Sequence, residues 1–255
     1  MTMGTLENNR QGSGRMDSLS VIVTGGTTGI GRAAAILLAS QGARVLIAGH
    51  DGSHLRETLD SVGEDISGSV HGVIADLSTE EGVEKLFSEA DSVLPGLDVL
   101  VNNAALAFQG ISDGSYQDWQ KVVNTNVMSY MACTRMALDR MKEKKKGHIV
   151  NIGSMSADVR EKDSSVYVAT KSAIQGFSES LRKEVNEAGI KVTLIEPGAV
   201  DTDMQPQSIG EKKQEVDELK MLKAEDIAEA VLYALSQPER CDVVELKIRP
   251  HLQLI

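Results

Sequence analysis

The sequence predicts an α/β protein. One doubly wound domain is expected, with a mostly or wholly parallel sheet of about seven strands and helices on both faces. Three observations carry this. Short apolar runs alternate with helix-length amphipathic stretches from end to end, the pattern of right-handed βαβ crossovers. The first apolar run, Val21 to Val23, breaks on Gly25, Gly29 and Gly31 and then enters a helical pattern; a run that short, bounded by Gly, reads as a buried parallel strand. The length, 255 residues, suits one α/β domain with a sizeable core.

The elements follow in order. After the glycine turn, a helix covers 33–38 and a second strand 43–48. Asp51 stands where a helix N-cap belongs, and the helix it opens runs to about residue 62. A third strand covers 70–75 and ends at Asp76. The helix over 79–93 carries Glu80 and Glu81 early, which suits the macrodipole. A fourth strand covers 97–103, and two helical stretches follow, over 116–126 and 127–145. The basic run Lys142 to Lys146 falls where a helix ends, before Gly147, so dipole complementarity and solvation account for it. A fifth strand covers 147–153, a long helix 166–188, and a sixth strand 190–196, broken by Pro197 and Gly198. The last helix covers 224–236 and the last strand 242–248. Residues 203–219 are polar, without clear periodicity, and lie just past strand six, where a mobile lid belongs. Residues 1–17 are polar and Gly-rich and read as a disordered leader without a signal-peptide core; 18–255 form the single domain.

Composition narrows the function classes. A chain 41% hydrophobic and 25% charged is an ordinary globular protein rather than a disordered one. The formal net charge of −11 argues against a nucleic-acid partner, which needs a basic face. No apolar stretch is long enough to span a bilayer. Cys133 and Cys241 lie far apart and fit neither a disulfide framework nor metal spacing. Both are expected to be small buried hydrophobes in a reducing compartment, so the expected location is the cytoplasm. His54, His71, His148 and His251 read as surface or structural residues, and no metal site is expected.

In a doubly wound sheet the ligand sits at the carboxyl ends of the strands. Those ends carry Gly25, Gly49 and His50, Asp76, Asn103, Gly153 and Ser154, and Pro197 and Gly198. The glycine turn leads into a helix N-terminus, whose bare N–H groups attract anions, and glycines let a pyrophosphate approach. Tyr167 and Lys171 are four apart on one helix and so share a face.

The stretch Thr24 to Gly31 resembles the TGxxxGxG motif of the short-chain dehydrogenases/reductases, a Rossmann-fold family. Asn102 to Ala105 looks like their NNAG motif, with Ala105 where Gly is usual. Asn126, Ser154, Tyr167 and Lys171 fall where that family carries its catalytic tetrad, and Pro197 to Thr202 resembles its PGxxxT segment. The resemblance covers about 18–255. It implies hydride transfer between a nicotinamide cofactor and a small alcohol or carbonyl substrate, with Tyr167 as acid/base. Lys171 would also bond the nicotinamide ribose, Ser154 would hold the substrate oxygen, and Asn126 would bind a water that relays protons. A phenol ionises near pH 10, so phenolate chemistry near pH 7 needs the Lys171 ammonium and an oxidised nicotinamide to lower it by ~2–3 units, roughly 3–4 kcal/mol.

For the cofactor, the family pattern assigns the cradle to Gly25, Thr27, Thr28, Gly29, Ile30 and Gly31. Asp76 and Leu77 would hold the adenine, and Asn103 would lie near the adenosine ribose. Pro197, Gly198, Val200 and Thr202 would meet the nicotinamide end. The end of strand two sets the preference. Gly49 stands where NAD enzymes carry Asp, leaving room for a phosphate, and His50 stands where many NADP enzymes carry Arg. The expectation is NADP over NAD, although the loop's other common basic position holds Thr28.

The ending Val243 to Pro250 is similar to NADP-dependent serine or 3-hydroxy acid dehydrogenases, which suggests a hydroxy acid or another ketone. The expected substrate lining is Leu106, Met155, Ala157, Val159, Met204 and residues 203–219, largely apolar, with Arg160 or Lys162 available to a carboxylate. The family implies a homotetramer or homodimer packed through the helices at 126–145 and 166–188. The alternative is a cofactor-binding regulatory or scaffold protein without turnover, which should lack one of Tyr167, Lys171 or Ser154; all three are present. An extended-branch nucleotide-sugar enzyme would need a longer C-terminal part.

Overall fold

Alternation along the strands assigns the two faces of the sheet. On β1 (Ser20–Thr24), Val21 and Val23 face one core and Ile22 the other. The computed structural model describes residues 16–63, 66–205 and 207–253. Six further strands join β1: β2 (Arg44–Gly49), β3 (Ser69–Ile74), β4 (Val99–Asn102), β5 (Gly147–Ile152), β6 (Ile190–Pro197) and β7 (Glu245–Ile248). Their order is β3-β2-β1-β4-β5-β6-β7 and every pairing is parallel, as expected. One face buries Ile22, Leu46, Leu100 and Ile149 under α3 (Glu80–Val93), α5 (Ser129–Lys144) and α7 (Ser165–Val185). The other buries Val21, Val45, Val101 and Ile195 under α1 (Gly29–Ser40) and α9 (Ala224–Ser236). Chain order reverses between β1 and β4, which opens a crevice at the carboxyl end of the sheet.

Several expectations hold at the level of single groups. Asp51 caps α2 (Gly52–Ser61), accepting from Ser53 N at 2.7 Å and His54 N at 3.1 Å. The basic run ends α5, with Lys145 left-handed at φ 49° and Lys144 paired to Asp98 at 3.3 Å.

Others are corrected. The helical stretches at 116–126 and 127–145 are continuous: α4 (Tyr116–Val123) passes through a π turn (Asn124–Met128) into α5. The helix predicted to reach 188 ends as α7 at Val185, followed by a 3₁₀ turn, Asn186–Ala188. A one-turn helix, α6 (Ser156–Val159), went unread because four residues give no periodicity. Inside 203–219 lies α8 (Ile209–Asp217), started by a reciprocal capping box between Ser208 and Glu211. Of the expected leader, residues 1–15 lie outside the described residues. Met16, also assigned to it, is buried at 2% exposure against the β1–α1 layer, and its carbonyl accepts from Leu19 N. Cys133 is buried as expected, and burial pushes its thiol up to about 12. Cys241, expected to be buried, is half-exposed in the loop before β7.

Candidate active site

Three glycines shape the first turn, each for a different reason. Gly25 has φ +61°, and a Cβ there would lie 2.8 Å from Ala104 Cα. Gly29 has φ +50°, facing Thr202. Gly31 has ordinary angles, but a Cβ would sit 2.2 Å from Gly25 O. Asn103 ties this turn to β4: its Nδ2 donates to Thr24 O at 2.9 Å and to Gly25 O at 3.0 Å. Thr24 Oγ1 in turn accepts from Asn103 N and Ala104 N. Thr28, extended at φ −147°, makes no side-chain cap to α1, whereas Asp51, Thr79, Ser115 and Ser208 cap α2, α3, α4 and α8. The first N–H groups of α1 are therefore left for an anion, and the cradle fits a pyrophosphate. Ala105 has no left-handed backbone, so the methyl it adds to the family pattern is accommodated.

A small recess of about 100 Å³ brings together Gly25, Gly49, His50, Asp76 and Leu77. Asp76 Oδ1 accepts from Ser78 N at 3.0 Å and Ser78 Oγ at 2.7 Å. Those bonds hold its carboxyl below the usual range, with smaller contributions from Lys121 and His50. Lys121 and Thr125, from α4 and the π turn, also line this recess and were not singled out in sequence. Gly49 carries a second constraint that its sequence position did not show. A Cβ there would lie 2.4 Å from Thr27 Cγ2, so the glycine also makes room for the buried Thr27. Thr27 is fixed in turn by Thr58 Oγ1, which donates to its carbonyl at 2.8 Å.

The main cavity, about 900 Å³, lies at the carboxyl ends of β4, β5 and β6. Ile30, Asn103, Pro197, Gly198, Val200 and Thr202 line it beside Ser154, Tyr167 and Lys171. Lys171 is buried at 2% exposure, and its Nζ donates to Ile152 O at 3.0 Å. It lies 5.7 Å from the Tyr167 ring centre and 5.8 Å from that of Tyr130, whose hydroxyl shares the Ile152 carbonyl. Burial pushes the Lys171 ammonium down to about 8, with the Glu196 carboxylate opposing.

Without a cofactor, the Tyr167 phenol is shifted upward. Burial pushes it up to about 12; a hydrogen bond with Ser154 pulls the other way, and Glu161 adds to the rise. Desolvation is the largest of these effects, and the Lys171 Nζ beside the ring donates to Ile152 O. Ser154 Oγ accepts from Ser156 N at 3.2 Å, which leaves its own proton to donate.

Asn126 is fully buried in the π turn and does not line the cavity. Its Oδ1 accepts from Leu106 N at 2.7 Å, and its Nδ2 donates to Leu106 O at 2.9 Å and Thr170 Oγ1 at 3.2 Å. The side chain thereby clamps the segment after β4 onto α7.

The substrate side differs most from its expected lining. Met155, Val159 and Met204 face the cavity, but Leu106 lines the small recess and Ala157 is buried at 0% exposure. Arg160 turns back, its Nε donating to Ala157 O at 3.2 Å, and Lys162 lies 3.9 Å from the Asp163 carboxylate; neither lines the cavity. Asp113, Asp118, Glu161, Gln205 and Gln253 do line it, and no periodicity marks them in the sequence. Lys212, buried on α8, reaches back to Thr202 O at 3.0 Å and Asp201 at 2.9 Å. Among the described residues no cluster of metal-binding side chains occurs, and no helix is long and apolar enough to cross a membrane.

A parallel sheet with a glycine cradle and a Tyr–Lys–Ser cavity at its reversal point defines a dinucleotide-dependent oxidoreductase, and comparison agrees. The short chain dehydrogenase family matches residues 20–213. An uncharacterized oxidoreductase of Staphylococcus aureus is 36% identical over 230 residues, covering 90% of this chain and 96% of that protein. One from Staphylococcus saprophyticus is 33% identical over the same shares. A short chain dehydrogenase of Burkholderia cenocepacia, solved in complex with NADP, superposes with a TM-score of 0.81 at 26% identity, covering 92% of this chain and 98% of that one. A metagenomic short-chain oxidoreductase, also with NADP, gives 0.80 at 25%, covering 94% and 100%. The chain belongs to the short-chain dehydrogenase/reductase family and is an oxidoreductase.

Proposed function

We propose that the protein is an NADP-dependent dehydrogenase/reductase that interconverts a small carbonyl compound and its alcohol. The observation that carries this is the convergence of Ser154, Tyr167 and Lys171 in one cavity with Pro197, Gly198, Val200 and Thr202. NADP, when bound, supplies or accepts the hydride. The glycine turn and α1 N-terminus hold its pyrophosphate, and Asn103 keeps that turn in place. Asp76 and Leu77, which line the recess, would flank the cofactor's adenine. Ser154 donates to the substrate oxygen and fixes it in a near-attack pose. The Tyr167 phenol, protonated at neutral pH, gives its proton to that oxygen during reduction and takes it back during oxidation. Lys171, 5.7 Å from the centre of the phenol ring, holds positive charge beside it and would bond the nicotinamide ribose. Asn126 acts by clamping the Leu106 backbone onto α7, which positions the floor of the cleft.

Two solved relatives contain NADP, which supports NADP over NAD here. Lys121 and His50 at the adenosine recess support it too, an ammonium and an imidazole N–H being available to a 2′-phosphate there. A carboxylate side chain at position 49 would displace Thr27, which disfavours the NAD arrangement. Residues 203–219 serve as the substrate lid of a single domain spanning 18–255: Met204 and Gln205 face the cavity, and Lys212 tethers α8 to its rim. A homodimer or homotetramer in the cytoplasm fits the family, and exposed Met128 and Met131 lie along the π turn and α5 for such an interface. The test is an absorbance assay of NADPH and NADH oxidation against a panel of aldehydes, ketones and keto acids. At least one substrate should be reduced with a lower KM for NADPH; a lower KM for NADH overturns the His50 and Lys121 assignment.

A further inference from the structure

The two ends of the cleft differ in charge. The adenosine recess has Lys121 and His50 on its walls beside a single carboxylate, Asp76. The substrate cavity has Asp113, Asp118 and Glu161, and its one lysine, Lys171, is bonded to a backbone carbonyl. The cations nearest in sequence, Arg160 and Lys162, are outside the cavity. The acids are held in place. Asp118 Oδ2 accepts from Ser115 N at 2.8 Å, Asp113 Oδ2 from Gly110 N at 3.1 Å, and Glu161 Oε1 from Ser156 Oγ at 3.2 Å. Ser156 and Glu161 both line the cavity with Tyr167, so this carboxylate belongs to the reacting end.

We infer that the substrate is a neutral or cationic carbonyl compound or alcohol, such as an amine-bearing one, and that the acidic wall of Asp113, Asp118 and Glu161 rejects carboxylates. This rests on the redox reading above and turns away from a hydroxy acid. A carboxylate entering the cavity meets these three acids, and among the described residues no arginine and no lysine other than Lys171 lines it. A neutral carbonyl meets none of that repulsion, and an ammonium finds charge partners at the rim. Because these acids are at the solvent edge, the discrimination weakens as salt screens it.

Matched aldehydes test this: benzaldehyde, para-carboxybenzaldehyde and para-trimethylammonio-benzaldehyde, each reduced by the intact enzyme with NADPH. The expected order of kcat/KM is cation at or above neutral, with the carboxylate about tenfold or more below neutral. Glu161→Gln and Asp113→Asn should each narrow the carboxylate penalty several-fold, and added salt should do the same. A carboxylate that equals or beats the neutral aldehyde, or a penalty indifferent to both variants, overturns the inference. Trp119 gives a readout independent of turnover. It is the chain's single tryptophan, and its Nε1 donates to Asp113 O at 2.9 Å. Its fluorescence should report tighter binding of benzyltrimethylammonium than of benzoate. If none of the aldehydes or the wider panel is reduced, the redox reading fails, and this titration alone decides the charge preference; tighter benzoate binding overturns it.

Discussion

The two ends of the cleft are built by different means. The cofactor end is made of backbone: glycines that no side chain can replace, an uncapped helix start, and Asn103 bonded to carbonyls. The substrate end is made of side chains from irregular segments, among them Asp113, Glu161, Met204 and Gln253. A backbone cradle has one steric solution, so its residues are fixed in type and spacing. A wall of loop side chains has many, and it is where one fold acquires different substrates.

This contrast can be broken at several points. The largest effect is expected at the junction of the two ends. Lys171→Met should lower kcat/KM by about 10²–10⁴-fold, since it removes the charge beside the phenol. Steady-state kinetics with NADPH varied would show KM for the cofactor rising as well. Next comes the backbone end. Gly31→Ala forces a Cβ to within 2.2 Å of Gly25 O. Overpacking of this kind costs about 1–3 kcal/mol, which should appear as a rise of roughly 5- to 150-fold in the NADPH dissociation constant. An unchanged constant would mean the turn is not a tight cradle. A smaller effect is expected at the recess, where Lys121→Ala should weaken NADPH by several-fold while leaving NADH nearly unaffected, by fluorescence titration.

The pH profile sharpens the comparison further. Lys171 titrates near 8 and Tyr167 near 12 in the protein without ligand. The phenol thus stays protonated across the neutral range while the ammonium is lost as pH rises past about 8. Carbonyl reduction should therefore hold steady below pH 8 and fall above it. Lys171→Arg, which cannot lose its charge, should abolish that break. A flat wild-type profile through pH 9 would contradict the assignment.

The same contrast explains what could be read in advance. The sheet, its parallel order and the three turn glycines were legible because burial on both faces and steric exclusion leave few residue choices. The N-cap role of Asp51 was legible for the same local reason. Thr27 behind Gly49 was not, because the constraint comes from a residue 22 positions away that carries no pattern of its own. Nor was the raised phenol of Tyr167: helical spacing places the lysine on the same face, but only the fold shows how deeply the phenol is buried and that Ile152 O takes the lysine's bond. The acidic wall was hidden because Asp113, Asp118 and Glu161 come from two separate segments that only the cavity unites. The helix within 203–219 could have been found from the Ser208–Glu211 capping box that opens it.

The most direct test is a single-turnover measurement on Tyr167→Phe. The variant keeps the ring that packs beside Lys171 and loses only the hydroxyl. Mixed with NADPH and a carbonyl substrate of the native enzyme, it should bind NADPH with an unchanged dissociation constant. Hydride transfer should be slower by about 10²–10⁴-fold. Transfer at the native rate would contradict the assignment of the proton to this phenol.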